Sequence, residues 1–224
     1  MTSVFLSLSA LLAASALAAP TAGAAPQADA ATSVPSGWVA VDSAGLQHIT
    51  DAADTLQAPL AAGRSAATAA AAAVEPELLA LQSARNEKFV ATEANYAAPN
   101  TGALRARSAQ VGGGWEGFVF TFDEATGTVS LKSLANDRYV AVEKNYTGTA
   151  QNILRARSTS VGGWERFVLY YNESLDRFAL QSTLNGLFVA MENSYTGSLQ
   201  YALRARSAEI TGSWEEFTLY SLEA

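Results

Sequence analysis

The sequence contains no cysteine and a single histidine, His48, among its 224 residues. The lack of cysteine excludes disulfides, thiolate zinc sites and thiol nucleophiles. One histidine leaves too few ligands for the usual histidine metal sites and makes a Ser-His-Asp triad hard to build. Because no other metal-ligating residues surround His48 at ligand spacing, we expect it to be a helix-surface or contact residue, and we expect no metal or other cofactor.

Basic side chains are also scarce, since 14 Lys and Arg stand against 21 Asp and Glu, for a formal net charge of −7. Nucleic acids and anionic membranes are bound by proteins with a net basic face, so neither is an expected partner. No stretch is long and apolar enough to be a convincing transmembrane span.

The N-terminal segment is apolar and uncharged from Val4 to Ala19, and Ala16-Leu17-Ala18 fits the small-x-small pattern that precedes a cleavage site. This pattern predicts a signal peptide over residues 1–19 and a secreted, extracellular protein. Two sequons, at Asn145 and Asn172, predict glycosylation sites. A secreted protein without cysteine must be stabilised by its core alone.

Residues 20–78 are rich in alanine and interrupted by prolines. Asp42 or Ser43 is a candidate helix cap. A helix after this cap is predicted by apolar residues at helical spacing, which are Leu46, Ile49, Ala53 and Leu56. Large apolar residues are too few for an independent core, so we interpret this segment as a spacer or pro-segment that is partly helical or disordered.

Residues 79–224 consist of three copies of one unit of about 49 residues, spanning 79–128, 129–177 and 178–224. The motif Leu-Arg-Ala-Arg-Ser begins at Leu104, and it recurs at Leu154 and Leu203. The motif Trp-Glu-x-Phe recurs in step with it. These repeated motifs make residues 79–224 one domain with internal threefold symmetry.

Each copy contains four short segments with strand character, separated by turn signals such as Asn185-Gly186 and Gly112-Gly113-Gly114. Three copies give twelve strands, and a closed arrangement is the natural way to hide the edges of so many short strands. The sequence therefore predicts an all-β fold, a β-trefoil in which a six-stranded barrel is capped by three hairpins.

The repeated pattern Asn-(x)2-(Phe/Tyr)-Val, Leu-x-Ala-x and Gly-x-Trp-Glu-x-Phe resembles the fascin-like, or actin-crosslinking-like, branch of β-trefoils. It does not resemble the ricin-type branch closely, since no glutamine stands two residues before a tryptophan. The resemblance implies an actin- or other protein-binding module. Single fascin-like trefoils in secreted microbial proteins also look like sugar-binding modules.

Several residues that recur in all three copies are predicted to be structural. We expect three tryptophans to plug the barrel or its cap, and the alternative is that they stack on a ligand. Arginines that alternate with the core residues face away from the core, and repeated glutamates are available to pair with them. The alternative is that these arginines bind an anionic ligand. The predicted structural set is Trp115, Trp164, Trp214, Arg105, Arg107, Arg155, Arg157, Arg204 and Arg206.

The predicted ligand-binding residues lie in turns that follow the second strand of each copy. A tyrosine ring there can stack on a sugar while neighbouring amides and hydroxyls bond to the sugar hydroxyls. The alternative is that each tyrosine anchors its own turn. The candidates are Asn95, Tyr96, Asn145, Tyr146, Ser194 and Tyr195, and Gln151, Asn152, Gln200 and Tyr201 could tune individual lobes.

The sequence favours a secreted, monomeric, non-enzymatic protein that binds carbohydrate through up to three symmetric lobes. One alternative is an actin- or other protein-binding module of the fascin type, although export would separate it from cytosolic actin. Another is a protease inhibitor, although short, symmetric loops do not favour it. An enzyme is not expected, because triplicated carboxylates fit a structural role and catalysis needs one asymmetric site.

Overall fold

The structure, a computed structural model, describes residues 34–57 and 76–223. The predicted signal peptide therefore lies outside the described residues. The first range contains strand β1 (Val39–Ala40), helix α1 (Ser43–Ala52) and strand β2 (Thr55–Gln57). The second contains β3 (Glu77–Ser83), β4 (Lys88–Glu93), β5 (Ala103–Ser108), β6 (Phe118–Asp123), β7 (Thr128–Ser133), β8 (Arg138–Val142), β9 (Leu154–Ser158), β10 (Phe167–Asn172), β11 (Arg177–Ser182), β12 (Phe188–Met191), β13 (Leu203–Ser207) and β14 (Phe217–Glu223).

Six strands close into a barrel, two from each repeat. All neighbours in this ring are antiparallel, in the order β3, β6, β7, β10, β11, β14 and back to β3. Closure gives each of the six strands a neighbour on both sides, which explains how short strands form a stable sheet. The β7–β10 and β11–β14 contacts are single residue pairs, and the remaining edges of β10 and β14 pair with β1 and β2.

The other six strands form three hairpins, β4–β5, β8–β9 and β12–β13, one from each repeat. The hairpins meet around the pseudo-threefold axis through single bridges between β5 and β9, β5 and Ala202, and Ile153 and β13. A six-stranded barrel capped by three hairpins is a β-trefoil, so the predicted fold is confirmed.

The core lies inside the barrel and beneath the cap. Phe118, Phe167 and Phe217 occupy equivalent positions at the starts of β6, β10 and β14, and each is at most 1% exposed. Leu104 and Ala106 of β5 are also buried, as their alternation with Arg105 and Arg107 predicts. The repeated motif Trp-Glu-x-Phe thus places one phenylalanine of each lobe in the core.

An asparagine repeated in each copy fastens the turn before the hairpin. Asn86 Nδ2 donates to the Ala106 carbonyl at 2.9 Å, and Asn136 and Asn185 make the equivalent bonds to their own lobes at 2.8 and 3.0 Å. The side chain therefore holds the turn of each lobe against the hairpin that follows it.

Residues 34–57 pack on the barrel. Strand β1 pairs with β10 and β2 runs parallel to β14, while Leu46 of α1 is 1% exposed within the main core cluster. The Asp42 carboxylate caps α1 by accepting the Gly45 N–H at 2.7 Å, and Asp42 is one of the two predicted candidate caps. Within the predicted spacer or pro-segment of residues 20–78, residues 34–57 therefore contribute to the core of the trefoil. A segment without its own core can thus complete the core of another unit, while the predicted helical character is present in α1.

Within residues 34–57 and 76–223, no helix has both the length and the apolar character needed to cross a membrane.

Candidate functional site

The three turns that join the hairpin strands form one face of the molecule, which we call the cap surface and define as residues 94–102, 144–152 and 193–201. They converge because the strands that follow them meet at the axis, where Ala103, Ile153 and Ala202 are fully buried against one another. Small and β-branched side chains at these positions let the three backbone segments approach closely. The predicted ligand-binding residues all lie in this surface, with Asn152 and Tyr201 at its border with the strands.

An ion-pair cluster lies under the cap surface in the first lobe. Arg105 Nη1 donates to Glu93 Oε1 at 3.2 Å and to the Tyr96 hydroxyl. Arg107 donates to the same carboxylate through Nε and, at 3.2 Å, through Nη2. Glu93 is 3% exposed and therefore depends on these two guanidinium groups for compensation of its buried charge. The hydrogen bond that Arg107 donates to Glu93 raises the pKa of Arg107 above its ordinary value.

The same cluster recurs in the other two lobes. Glu143 accepts from Arg155 and Arg157, and Glu192 accepts from Arg204 and Arg206. In each lobe the first arginine also donates to the tyrosine hydroxyl of its own turn. The expected arginine–glutamate pairing is thus present three times.

The first arginine of each cluster also links its lobe to the next. Arg105 Nε donates to the Gln200 carbonyl at 2.6 Å, Arg155 Nε to the Thr101 carbonyl at 2.8 Å, and Arg204 Nε to the Gln151 carbonyl at 2.7 Å. The three bonds form a closed cycle around the axis, in which each lobe donates once and accepts once.

The residue after each of these carbonyl groups has a left-handed backbone. Gly102, Asn152 and Tyr201 have φ values of 79°, 59° and 61°, and their carbonyls accept the N–H of Ala156, Ala205 and Ala106 in the next lobe. At Gly102 an added Cβ would lie 2.4 Å from the Ala156 carbonyl oxygen, so only glycine fits that junction as it stands.

The predicted tyrosines are half-buried participants in these clusters. An arginine Cζ lies 5.6 to 5.7 Å from the ring centroid of Tyr96, Tyr146 and Tyr195, and the Tyr146 hydroxyl also donates to the Pro99 carbonyl of the neighbouring lobe at 3.1 Å. These contacts fit the turn-anchor alternative, since each ring and hydroxyl already has protein partners. A ligand role for these tyrosines stays a prediction.

The remaining predicted residues divide into two groups. Asn95, Asn145 and Ser194 are exposed on the cap surface, so their side chains face solvent. Gln151, Asn152, Gln200 and Tyr201 serve the junctions between lobes through their backbone carbonyls. The exposed side chains of the first three residues are therefore available to a ligand. The backbone carbonyls of the other four residues have a structural function.

The two predicted glycosylation sites differ in access. Asn145 is exposed. Asn172 is 4% exposed, and its Oδ1 accepts from the Ser174 hydroxyl at 2.8 Å and the Leu175 N–H at 3.2 Å. A glycan on Asn172 would therefore require this turn to open, since a sequon needs a surface side chain.

The three tryptophans lie at the surface and not inside the barrel or the cap. Trp115 is 36% exposed, and Trp164 and Trp214 are half-buried. The expectation that they plug the barrel fails because the phenylalanine three residues later in each motif takes the central position. What each tryptophan supplies to the fold is a backbone carbonyl, which accepts an N–H from the second strand of its own lobe.

The glutamate after each tryptophan closes the preceding glycine turn. Glu116 accepts the Ser108 hydroxyl at 2.6 Å and the Gly112 N–H at 3.2 Å. Glu215 makes the equivalent bonds to Ser207 and Thr211. These bonds hold the turn that precedes each surface tryptophan.

A contact that the repeat analysis missed covers one of these rings. Arg85, in the turn after β3, stacks with its Cζ 4.6 Å from the ring centroid of Trp214. The equivalent residues of the other two copies are Ala135 and Leu184. The difference among the three repeats at this position is the sequence signal for the contact. The motifs consist of positions that agree among the repeats, so they do not include it.

A cleft of about 420 Å³ lies between α1 and the barrel. Its lining includes His48, Asp54, Tyr171 and Asp176. Burial, and then the hydrogen bond to Asp176, raise the pKa of the Tyr171 phenol. No three or more His, Asp or Glu side chains come together as a metal site anywhere in the part of the chain that the structure describes.

Comparison with known proteins gives the fold class. No protein-family model matches this sequence, and no curated protein matches it. Among solved structures, the designed threefold-symmetric protein ThreeFoil has a TM-score of 0.53 at 18% identity, covering 65% of this chain and 99% of that one. The Rhizoctonia solani agglutinin has a TM-score of 0.50 at 12% identity, covering 68% and 99%.

A mosquitocidal holotoxin is similar over a smaller part of its own length. Its TM-score is 0.55 at 10% identity, and the match covers 67% of this chain but 18% of the toxin chain. At such identities these likenesses show the fold alone, and they agree with the barrel and hairpins described above. The chain is a β-trefoil protein, and the fascin-like pattern of its repeats stays a resemblance.

Proposed function

We propose that this protein is a non-enzymatic binding module whose ligand is a carbohydrate. The observation that carries the proposal is the presence of a surface tryptophan at the same position in all three lobes, beside an open turn. An indole ring presents a broad apolar face, which suits the apolar face of a pyranose ring. The net charge of −7 favours a neutral ligand over a phosphorylated one.

The repeated carboxylates support the non-enzymatic part of the proposal. Glu93, Glu143 and Glu192 are each committed to two arginines, and Glu116 and Glu215 hold turns. A glycosidase needs a pair of carboxylates facing the substrate, with one of them able to give up or take a proton. Side chains with these fixed structural partners do not serve that purpose.

Secretion belongs to the same proposal, because an insoluble polysaccharide would be met outside the cell. It depends on the predicted signal peptide over residues 1–19. The agglutinin with the same fold makes carbohydrate binding a function that this architecture is able to host, and this is an analogy at the level of the fold.

The test uses the full chain, because residues 34–57 contribute to the core. The purified protein is mixed with insoluble chitin, cellulose, β-glucan and xylan, and the bound fraction is measured with and without the matching soluble oligosaccharide. We expect retention on at least one polymer and release by its oligosaccharide. Retention on none of them would overturn the proposal.

Actin filaments form a parallel arm, because the repeat pattern resembles fascins. Sedimentation with filaments and no retention on any polysaccharide would favour the fascin-type alternative. The protease-inhibitor alternative receives no support from the cap surface, whose three turns, as defined above, are of equal length.

A further inference from the structure

The three surface tryptophans have different surroundings despite their equivalent positions. The Trp214 ring is covered by Arg85, at 4.6 Å from Cζ to ring centroid, and the Trp164 ring by Arg157, at 5.4 Å. A guanidinium stacked on an indole occupies the face that a sugar would need.

Trp115 has neither cover. Ala135 stands where Arg85 stands in the first lobe, so the turn that faces Trp115 from the second lobe has no cation at this position. Its other side chain, Leu134, is apolar and lies beside Gly114 and Gly117. The two turns are equivalent, since Leu134 donates its N–H to the Gly117 carbonyl as Ala84 does to that of Glu216.

The arginine of its own lobe is bound to a carboxylate and does not stack on Trp115. Arg107, the equivalent of Arg157, donates to Glu93 through both Nε and Nη2. Among the residues that the structure describes, no cation and no other ring contacts the Trp115 indole. Its 36% exposure makes it one of the exposed large apolar side chains of the described chain.

The turn before Trp115 leaves room for a ligand. It contains Gly112-Gly113-Gly114, one glycine more than the corresponding turn of the second lobe. A Cβ on Gly112 would have no atom within 4 Å, whereas a Cβ on Gly114 would lie 3.4 Å from the Leu134 Cβ, so the open space is on the Gly112 side of the turn. The charged neighbours Glu93, Arg107 and Glu116 are paired or hydrogen-bonded, so a ligand on the indole meets no unpaired charge from them.

We infer that Trp115, at the junction of the first and second lobes, is the stacking platform of a single dominant subsite for a neutral pyranose ring. This inference rests on the proposed carbohydrate-binding function, and it replaces three equal lobes with one open and two covered positions. The cover is built from Arg85 and Arg157, so the number of working subsites is set by which positions carry an arginine.

The test uses the full-length chain with chito-, cello-, xylo- and laminari-oligosaccharides as probes, in titrations followed by tryptophan fluorescence and calorimetry. Trp115→Ala is expected to weaken binding at least tenfold. The matched controls Trp164→Ala and Trp214→Ala are expected to change it less than twofold. Thermal melting of each variant checks that it is folded.

Two further variants change the cover and leave all tryptophans in place. Ala135→Arg gives the second lobe the arginine that the first lobe has, so it is expected to cover Trp115 and weaken binding by a similar factor. Arg85→Ala uncovers Trp214 and is expected to raise the number of sugars bound per chain from one to two. Ala135→Arg decides the question if Trp115→Ala does not fold.

The outcomes separate this inference from the function on which it rests. Equal losses in all three tryptophan variants would overturn the single subsite in favour of three equivalent ones. Sugar binding that survives both Trp115→Ala and Ala135→Arg would overturn the subsite and leave the carbohydrate function standing. The absence of binding to every probe and polymer would overturn both, and loss of filament binding in Trp115→Ala would assign the ring to a protein partner.

Discussion

A buried carboxylate shared by two arginines stands at the centre of each lobe. In the first lobe Glu93 is 3% and Arg105 8% exposed, so both charges have left water for each other. Removing one member of such a pair leaves the other charge uncompensated, and this costs far more than losing an exposed pair. The motif Arg-Ala-Arg is thus a stability determinant at the scale of single residues.

We expect Glu93→Gln to lower the free energy of unfolding by about 3 kcal/mol, because the Arg105 guanidinium would stay buried beside a neutral amide. Urea unfolding followed by circular dichroism measures the change. Glu209→Gln is the matched control, since Glu209 is exposed and the same substitution there should change stability by less than about 0.5 kcal/mol. Equal stabilities of the two variants would contradict the prediction.

Asp123 provides a pH-dependent contribution. The hydrogen bond from Arg166 Nη1, at 2.5 Å, lowers the pKa of Asp123 below its ordinary value. A lowered pKa in the folded state contributes stability that is present above the ordinary pKa of an aspartate and is lost as the pH falls through the lowered value.

The difference in free energy of unfolding between wild type and Asp123→Asn should therefore be largest near pH 7 and shrink as the pH is lowered towards 3. Urea unfolding across this range measures it. Arg166→Ala, which removes the partner, should show the same convergence with wild type. A difference that stays constant with pH would show that the ion pair does not contribute.

At the scale of elements, the segment before the trefoil is part of its core. Helix α1 places Leu46 in the main core cluster, and Val41 just before the helix is also buried there. Strands β1 and β2 pair with the barrel strands β10 and β14. The segment and the barrel should therefore unfold together.

We expect Leu46→Ala to destabilise the whole protein by about 3 kcal/mol, in one cooperative transition, since it opens a cavity at a fully buried position. Tryptophan fluorescence and far-UV circular dichroism should report the same midpoint. Leu175→Ala is the control, because Leu175 is 49% exposed and its truncation creates no cavity. Two separate transitions would show that α1 is an independent appendage.

The strands of the trefoil could be predicted because each pattern occurs three times, so chance alternation was averaged out. Helix α1 was predicted from the spacing of Leu46, Ile49, Ala53 and Leu56, with Asp42 as one of two candidate caps. The prediction was too long, since the helix ends at Ala52 and Leu56 lies in β2. Its docking could not be predicted, since a short amphipathic helix does not specify which surface it covers. The tryptophans were misplaced because size alone suggested burial, while the phenylalanine three residues on took the central position.

The candidate site was less predictable than the fold. The cap tyrosines stood out because they repeat, but repetition reflects what all lobes share, which here is the arginine cluster. The feature that distinguishes Trp115 is a difference between lobes, at Arg85 and Ala135, and it becomes meaningful only when the structure shows which turn faces which ring. Contacts that cross from one lobe to the next are invisible to a comparison within each repeat.

At the scale of the whole molecule, three lobes form one closed cycle. Each boundary uses the same arginine-to-carbonyl bond and the same backbone bond beside it. The barrel closes in the same way, with two strands from each lobe. Threefold symmetry in the framework therefore coexists with asymmetry in the surface side chains, and the framework can be kept while individual surface positions diverge.

The cycle of bonds between lobes also defines a rule of assembly. Every lobe carries one donor edge and one acceptor edge, and the angle between them closes after three units. A chain with only two lobes would keep one of each edge unmatched and would be driven to recruit a third from another molecule. Three separate copies of a single lobe would be able to make the same contacts as the three lobes of this chain. Covalent linkage therefore raises the local concentration of the lobes, whereas the geometry of their contacts is a property of each lobe.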